Sequence, residues 1–556
     1  MSHIRKLLPL GAIGILATAV LLTGSVQPAI AKVGQLDVVG HISAVELGVA
    51  FGENITDVWA FGNFAYLGTF DDIACTLDTT GTHIVDISDP ENPTNAGFIP
   101  DQPGTRTNDV KVAHIETPHF TGEILVETNE PCELDPFVPR LNSRGGNTIP
   151  GQGGIAIWDV TNPRNPRALR QNFLENGIHN TFIWQDGDNA YLIAVDDVAR
   201  DDVIVVDITK PQAPQVIART GQDDWPAGID NVGAGEVFLH DVWVQNQIAY
   251  LSYWDAGLVL LDVSDPANPV FLGDSDYEDP DPLSGKPPEG NSHVSVPNAA
   301  GTRVLMGDED FAAGFLTKFE FAGTPYGAGV ALFAPFVDGS FSGPVHWTGG
   351  EGCSTAEFDR AADPGEVALI QRGTCFFSTK AANAQALGYA GFVVANNAGE
   401  GLLNMSAGTD DVITIPGFFV AQSTGETMKA NDGGTLEVDG VFDGFGYLRL
   451  LDVSNPTNIV ELDQFATESV FVNPPLPGDR TMHNVVVDGG TTAYISWYAE
   501  GIRVVSFRND MLREVARFID PAGSNFWGVY LHDHPNGNTY ILGSDRSTGL
   551  WIFNTP

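Results

Sequence analysis

The chain has 556 residues, 43% apolar and 18% charged, too long for one ordinary core and too apolar for disorder, so two or three structural units are expected. Its 62 Gly and 35 Pro exclude a long-helix or coiled-coil protein and put an all-β fold of short, turn-linked strands first. A net charge of −44, from 27 Lys and Arg against 71 Asp and Glu, repels phosphate and argues against nucleic acid and anionic membrane as partners; the acids are spread along the chain as a solvated surface would be, with cation binding left open.

At the N-terminus, Arg5 and Lys6 precede an apolar run from Leu7 to Leu22 and the small-residue site Ala29-Ile30-Ala31. This is the pattern of an export signal over residues 1–31, removed so that the mature chain starts at Lys32. No Cys follows the run to carry a lipid, and no second stretch is long and apolar enough to span a bilayer. The protein is therefore expected outside the cytoplasm: secreted, at the cell surface or in the periplasm. In that setting four cysteines with no C-x-x-C among them suggest two disulfides rather than metal ligation, Cys353 with Cys375 and, as the remainder, Cys75 with Cys132.

Beyond the signal, Gln35-Leu36-Asp37-Val38-Val39-Gly40-His41-Ile42 reads as a strand without a neighbour of its own. A pattern then recurs: an apolar run closing in Asp, a small hydroxyl residue, and a Pro-x-x-Pro turn. It reads HIVDISDPENP ending at Pro93, IAIWDVTNPRNP ending at Pro166, VIVVDITKPQAP ending at Pro214, LVLLDVSDPANP ending at Pro269 and LRLLDVSNPTNI ending at Ile459. Each run is rich in Val, Ile and Leu and bounded by Gly and Pro, as a strand buried on both faces is. The Asp and Ser/Thr side chains suit bonds to backbone N–H groups in the turn. The second Pro, lacking a donor, makes the strand it opens, such as Val270-Phe271-Leu272, an outer edge.

Two more strand candidates precede each run, for example His240-Asp241-Val242-Trp243-Val244 and Ala249-Tyr250-Leu251-Ser252-Tyr253. Four short antiparallel strands per repeat make a propeller blade. First strands are marked by Asp57-Val58-Trp59, Asp109-Val110-Lys111, Asn180-Thr181-Phe182, Asp241-Val242-Trp243, His293-Val294-Ser295, Asn484-Val485-Val486 and Gly528-Val529-Tyr530, so seven blades are expected. The last repeat ends at Phe553 without room for a fourth strand. The orphan strand at residues 35–42 is expected to supply it, closing the ring by pairing the chain ends. These repeats resemble the LVIVD-repeat family of exported bacterial and archaeal proteins, whose repeats are taken to form β-propellers. The resemblance covers most of residues 34–556 outside one insertion and implies a fold rather than an activity. The sixth and seventh copies, Val504-Val505-Ser506-Phe507-Arg508-Asn509 and Leu550-Trp551-Ile552-Phe553-Asn554, depart from it by lacking the Pro pair.

The insertion lies inside blade five, where about 140 residues separate Arg303-Val304-Leu305-Met306 from Tyr447-Leu448-Arg449-Leu450-Leu451, far more than a hairpin needs. Propeller segments over 32–323 and 442–556 are thus expected to flank a separate domain at 324–441. Its middle reads as a strand (Val367 to Gln371), a Gly turn, an Ala-rich helix from Lys380 stopped by Gly388, and a second buried strand (Phe392 to Ala395). Through Gly352, Cys353, Arg372, Gly373, Cys375, Lys380 and Gly388 this α/β stretch resembles a protease-associated (PA) domain. That resemblance implies a Cys353–Cys375 bond, a late strand at Ile413 to Val420, and a contact role for protein or peptide ligands, with Arg372, Gly373 and Lys380 as motif residues, rather than chemistry.

No H-E-x-x-H, G-x-S-x-G, G-x-x-x-x-G-K-[ST] or EF-hand spacing occurs, which argues against a peptidase, hydrolase or nucleotide-binding enzyme. One constellation comes from the blade register. Just before the first-strand markers stand Thr56, Asn108, His179, His240, Ser292, His483 and Trp527, and His293 is itself a marker. First strands line a propeller's channel, so His179, His240, His293 and His483 are candidate ligands for a transition metal such as Zn, Cu, Fe or Mn. Asp255, Asp308, Glu309 and Asp310 are placed to serve as counter-charge; the competing account is that these polar groups only bond blade to blade.

The acidic run Asp274-Ser275-Asp276-Tyr277-Glu278-Asp279-Pro280-Asp281 is a weaker candidate, for Ca²⁺, since its two prolines and missing glycine fit no known loop. His532 and His534 read as part of a surface hairpin turn, and Trp59, Trp243, Trp497 and Trp527 as packing beside the inner strands. The favoured function is an exported, non-catalytic binding or surface-interaction protein. The alternatives are a metal-dependent enzyme of oxidase or lyase type with its ion in the channel, or an accessory to a separate peptidase.

Overall fold

The computed structural model describes residues 33–71, 80–131, 153–174, 177–196, 199–225, 229, 237–275, 290–408 and 411–556. The expected export signal, the Cys75–Cys132 pair and the acidic run beyond Ser275 lie outside them.

Seven sheets, each ordered first strand to fourth, form the blades of a β-propeller. Blade four is representative: Leu239–Gln245, Ile248–Tyr253, Gly257–Asp262 and Val270–Asp274 pair antiparallel in sequence order. Its third strand is buried from Gly257 to Leu261 while the fourth, opened by the second Pro of the turn, is an edge whose first residue is exposed. The other first strands are Glu53–Phe61, Val110–Thr117, Asn180–Asp186, Ser292–Pro297, Val485–Val487 and Phe526–Asp533. Each contacts the first strand of the next blade, and the seventh contacts the first, so these strands ring a central channel.

What joins the blades is apolar packing, because a sheet buried on both faces must share each face with a neighbour. Val203 and Val205 of blade three pack with Leu251, Val259 and Leu261 of blade four, and Ile84 and Tyr66 of blade one with Val112 and Leu125 of blade two. Hydroxyls add cross-blade bonds: Ser496 Oγ donates to the Trp527 carbonyl at 2.6 Å and Ser544 Oγ to the Thr56 carbonyl at 2.6 Å. The five repeat turns work as their chemistry suggests. Asp86, Asp159, Asp207, Asp262 and Asp452 each accept, through Oδ1, the N–H of the hydroxyl residue two positions on.

The ring closes through the chain ends. Val38–Ser43 pairs antiparallel with Gly549–Asn554 as the fourth strand of blade seven. The expected strand over 35–42 is, however, split: Gly34–Gln35 pairs parallel with Ala516 and Arg517 on the edge of blade six. Leu36, 4% exposed, packs in the core between the two blades.

The insertion forms an eight-stranded mixed sheet running from Gly314–Phe321 to Thr435–Phe442 in sequence. In its parallel part, Val345 to Trp347 pairs with Val367–Gln371, and Gly391–Ala395 lies between the latter and Gly417–Val420. Strand alternation sends Ala368 and Ile370 to one face, under Ala381 and Ala384 of the helix Phe377–Ala386. Val367 and Leu369 go to the other, with Met428 of the helix Gln422–Ala430. Cys353 and Cys375 are bonded. The domain is seated on the propeller: Val330 and Phe336 join a core with Val470, Met482 and Trp497, and Phe336 exchanges two 3.0 Å hydrogen bonds with the Asn473 side-chain amide. Among the described residues no helix is long and apolar enough to cross a membrane.

Candidate functional site

The first and second strands of most blades pair with a break in register near the channel mouth. The break skips His240 between Leu239 and Asp241, His293 between Ser292 and Val294, and Trp527 between Phe526 and Gly528. A bulged residue is left out of the ladder and its side chain is re-aimed. His293 therefore fills the slot that the aligned sequence assigns to Ser292, one residue earlier. In blades three and six, His179 one residue and His483 two residues before their first strands enter the same layer, their N–H groups bonded to the Val195 and Ser496 carbonyls.

The structure brings the four imidazoles into one row. Ring centroids are 4.3 Å apart for His179 and His240, 4.3 Å for His240 and His293, and 4.1 Å for His293 and His483, and Trp527 ends the row at 4.2 Å from His483. The His179 end is occupied: Nδ1 bonds Glu130 at 2.5 Å, Asn108 Nδ2 lies 3.4 Å from Nε2, and Asn108 also donates to the His179 carbonyl. Burial works against ionisation of Glu130, but Arg106 and His179 outweigh it and hold the carboxyl down at about 2.

His240, His293 and His483 are 8%, 3% and 2% exposed. Burial, reinforced at His240 and His293 by other imidazoles of the row and at His483 by Arg546, pushes all three well below the ordinary histidine range, only partly offset by backbone of the next blade. They are neutral at physiological pH, and Nδ1 of each is buried without a hydrogen-bond partner. Of the four expected acids, Glu309 is the one that faces them, its two oxygens each 3.6 Å from Nε2 of His293 and of His483. Burial raises its carboxyl to about 8, although the Tyr498 hydroxyl donates to it. The other three have partners of their own: Asp308 pairs with Arg449 at 2.5 Å, Asp310 accepts the Ala312 N–H and Asp255 the Asn291 N–H. Among the described residues, His240, His293 and Glu309 each offer a ligand atom within 4.8 Å of the other two.

Farther along the channel, Lys111 donates to Asp57 at 2.8 Å and to Asp109, with Asp241 also in its field. Beside them the channel is packed with Trp59, Phe182, Trp243 and Tyr530, Trp59 and Tyr530 being 4.4 Å apart. The tryptophans expected as packing thus include two that fill the axis, while Trp497 is fully buried in the core between blades five and six. Sequence reasoning named Glu309 as counter-charge but missed the Tyr498 hydroxyl that bonds it and the pairing of Lys111 across blades. Only the Lys111 position, two residues past a first-strand Asp, carried a signal.

His532 and His534 are corrected by the structure. They are 4% and 5% exposed rather than on the surface, because their Nε2 atoms bond the Gly62 and Ile87 carbonyls of blade one at 2.8 and 3.0 Å. In the insertion, Lys380 is buried and donates to the Glu351 carbonyl at 2.5 Å, while Arg372 donates to Asn396 at 3.1 Å. Gly373 leaves room for the Glu351 carboxylate, which a Cβ there would meet at 2.0 Å. The three motif residues hold the domain together around its disulfide.

The LVIVD repeat matches residues 54–99, 239–276 and 441–467, and the PA domain matches residues 335–428. Over 109 residues the chain is 37% identical to the receptor homology region, transmembrane domain- and RING domain-containing protein 1 of Oryza sativa subsp. japonica, covering 19% of this chain and 20% of that protein. The chain therefore spans about a fifth of the length of that curated relative. Among solved structures, Sqt1 of Saccharomyces cerevisiae aligns over 94% of this chain and 100% of its own at 7% identity and a TM-score of 0.43. A zinc aminopeptidase from Bacillus subtilis aligns over 27% of this chain and 36% of its own, at 18% identity and a TM-score of 0.23.

Proposed function

We propose, from the premise that this chain is a seven-bladed LVIVD-repeat β-propeller with an inserted PA domain, that it is an exported interaction scaffold that offers the PA domain to a protein or peptide partner. The observation that carries this reading is the division of the inserted domain's surface. One side is fastened to blades five and six through Val330, Phe336 and Asn473. Elsewhere large apolar side chains face solvent, Phe376 at 61% and Val412 at 76% exposure. Both flank one helix: Phe376 immediately precedes Phe377–Ala386, and Gln385 of that helix bonds the Val412 carbonyl. Phe376 stands at the start of this helix and Val412 beside its last turn, so a partner laid along the helix meets an apolar anchor at each end. A fastened domain also loses little further freedom when it binds. Export is supported by the N-terminal apolar segment and by the Cys353–Cys375 bond, since such bonds persist in oxidising compartments.

Screening the purified mature protein against a displayed random-peptide library tests the contact. Selected peptides are expected to bind wild type and to lose affinity about tenfold or more for the F376S/V412S double variant, the effect of one buried aromatic anchor. Peptides that bind the double variant equally well, or a library that yields none, would remove the PA domain from this role. N-terminal sequencing of protein recovered outside the cytoplasm is expected to begin near Lys32.

A further inference from the structure

We propose that His240, His293 and Glu309 form a binding site for a single divalent transition-metal ion at the mouth of the propeller channel. This goes beyond the scaffold reading and does not depend on it. His240 comes from blade four and the other two from blade five, and the register breaks at His240 and His293 aim both imidazoles out of their ladders toward the axis. One ligand atom from each lies within 4.8 Å of the other two, and His293 Nε2 is already 3.6 Å from Glu309. Tetrahedral bonds of about 2.0–2.1 Å place ligand atoms about 3.3 Å apart, so the site closes on an ion by side-chain movements of about an ångström.

All three side chains are more than nine-tenths buried, and Nδ1 of each histidine has no hydrogen-bond partner, which is costly for a buried polar atom and is relieved when the imidazole can rotate onto a cation. Two neutral imidazoles and the carboxylate that Glu309 becomes when the cation displaces its proton to solvent suit Zn²⁺, Co²⁺ or Fe²⁺, whereas Ca²⁺ and Mg²⁺ seek oxygen ligands throughout. The Tyr498 hydroxyl holds the carboxylate in place, donating to the Glu309 oxygen that lies 3.6 Å from His483 Nε2. His179 is left out of the ligand set because Glu130 and Asn108 already engage its two ring nitrogens.

Tag-free full-length protein, stripped with chelator, reloaded with Co²⁺ and desalted, is expected to retain one equivalent of cobalt and to show the visible bands of a low-coordinate site. Glu309→Gln and His293→Ala are each expected to lose that equivalent, while His179→Ala keeps it; circular dichroism of the metal-free proteins reports whether each is folded. If His293→Ala does not fold, Glu309→Gln, which keeps the side chain's shape, decides alone. Wild type that retains neither Co²⁺ nor Zn²⁺ overturns the proposal. So does cobalt that survives in folded Glu309→Gln, or cobalt lost from folded His179→Ala.

Discussion

Lys111 shows how one residue can hold the centre of a ring together. Its side chain is 9% exposed and its ammonium donates to Asp57 of blade one and Asp109 of blade two, 4.9 Å from the Trp59 ring centre. Burial, only partly countered by this ammonium, raises Asp109 and Asp241 to about 7. A carboxyl raised on folding stabilises fully below its ordinary range near 3.8, and that contribution is lost as pH rises through 7, at a limiting slope of about 1.4 kcal/mol per pH unit for each group. Lys111→Met is therefore expected to cost about 3–5 kcal/mol at pH 8, where buried carboxylates lose their cation, and clearly less at pH 5, where Asp109 and Asp241 hold protons. Urea unfolding at the two pH values checks this, and an equal cost at both would show that Lys111 acts by packing alone. The pairing was not legible beforehand, because Asp57 and Lys111 sit in different blades, and a charge in a strand reads as an exposed one. The same limit applies to His532 and His534: the turn around them is written locally, but the blade-one carbonyls that bury them are not.

At the scale of strands and turns the sequence is more transparent, because the bonds that matter are made within a few residues. The Asp-to-hydroxyl turn and the donor-free Pro act inside one repeat, so the repeats announced their own geometry. The PA-type strand–helix–strand stretch did the same. What repeats do not announce is how closely blades approach one another. Gly273, in the fourth strand of blade four, lies so near blade five that a Cβ would sit 1.8 Å from the Pro456 carbonyl oxygen. Gly97 holds the corresponding place in blade one, yet its nearest neighbour would be Ile84 Cδ1 at 3.8 Å, an ordinary contact. Gly273→Ala is expected to destabilise by about 1–3 kcal/mol, as overpacking does, and Gly97→Ala by less than about 1. Thermal melts of the two variants side by side are the check. Equal losses would mean that the close approach to Pro456 does not set the cost. His293 belongs to this scale too, since a one-residue break in pairing carried it into the histidine layer and an ungapped alignment could not represent that.

For the molecule as a whole, the decisive joint is between residues far apart in sequence and adjacent in space. Ile42, Ala44 and Leu47 from the start of the chain pack with Leu550 and Ile552 from its end, and with Leu67 and Val85 of blade one. The N-terminal segment therefore supplies backbone pairing for blade seven, apolar cover between blades seven and one, and through Gly34–Gln35 an extra edge on blade six. Closure was legible because the last repeat lacked a strand and the first segment lacked a partner; the short piece on blade six was not, since two residues carry no pattern. Removing residues 33–43 is expected to leave Gly549–Asn554 as an open edge, lower the melting temperature and promote association between copies, because unpaired strand edges recruit one another. A synthetic peptide spanning 33–48 should reverse both effects by strand addition. Size-exclusion chromatography and melting with and without the peptide measure the outcome. A truncated chain that stays monomeric and melts like the full one would mean that packing between blades holds the ring without its terminal strand.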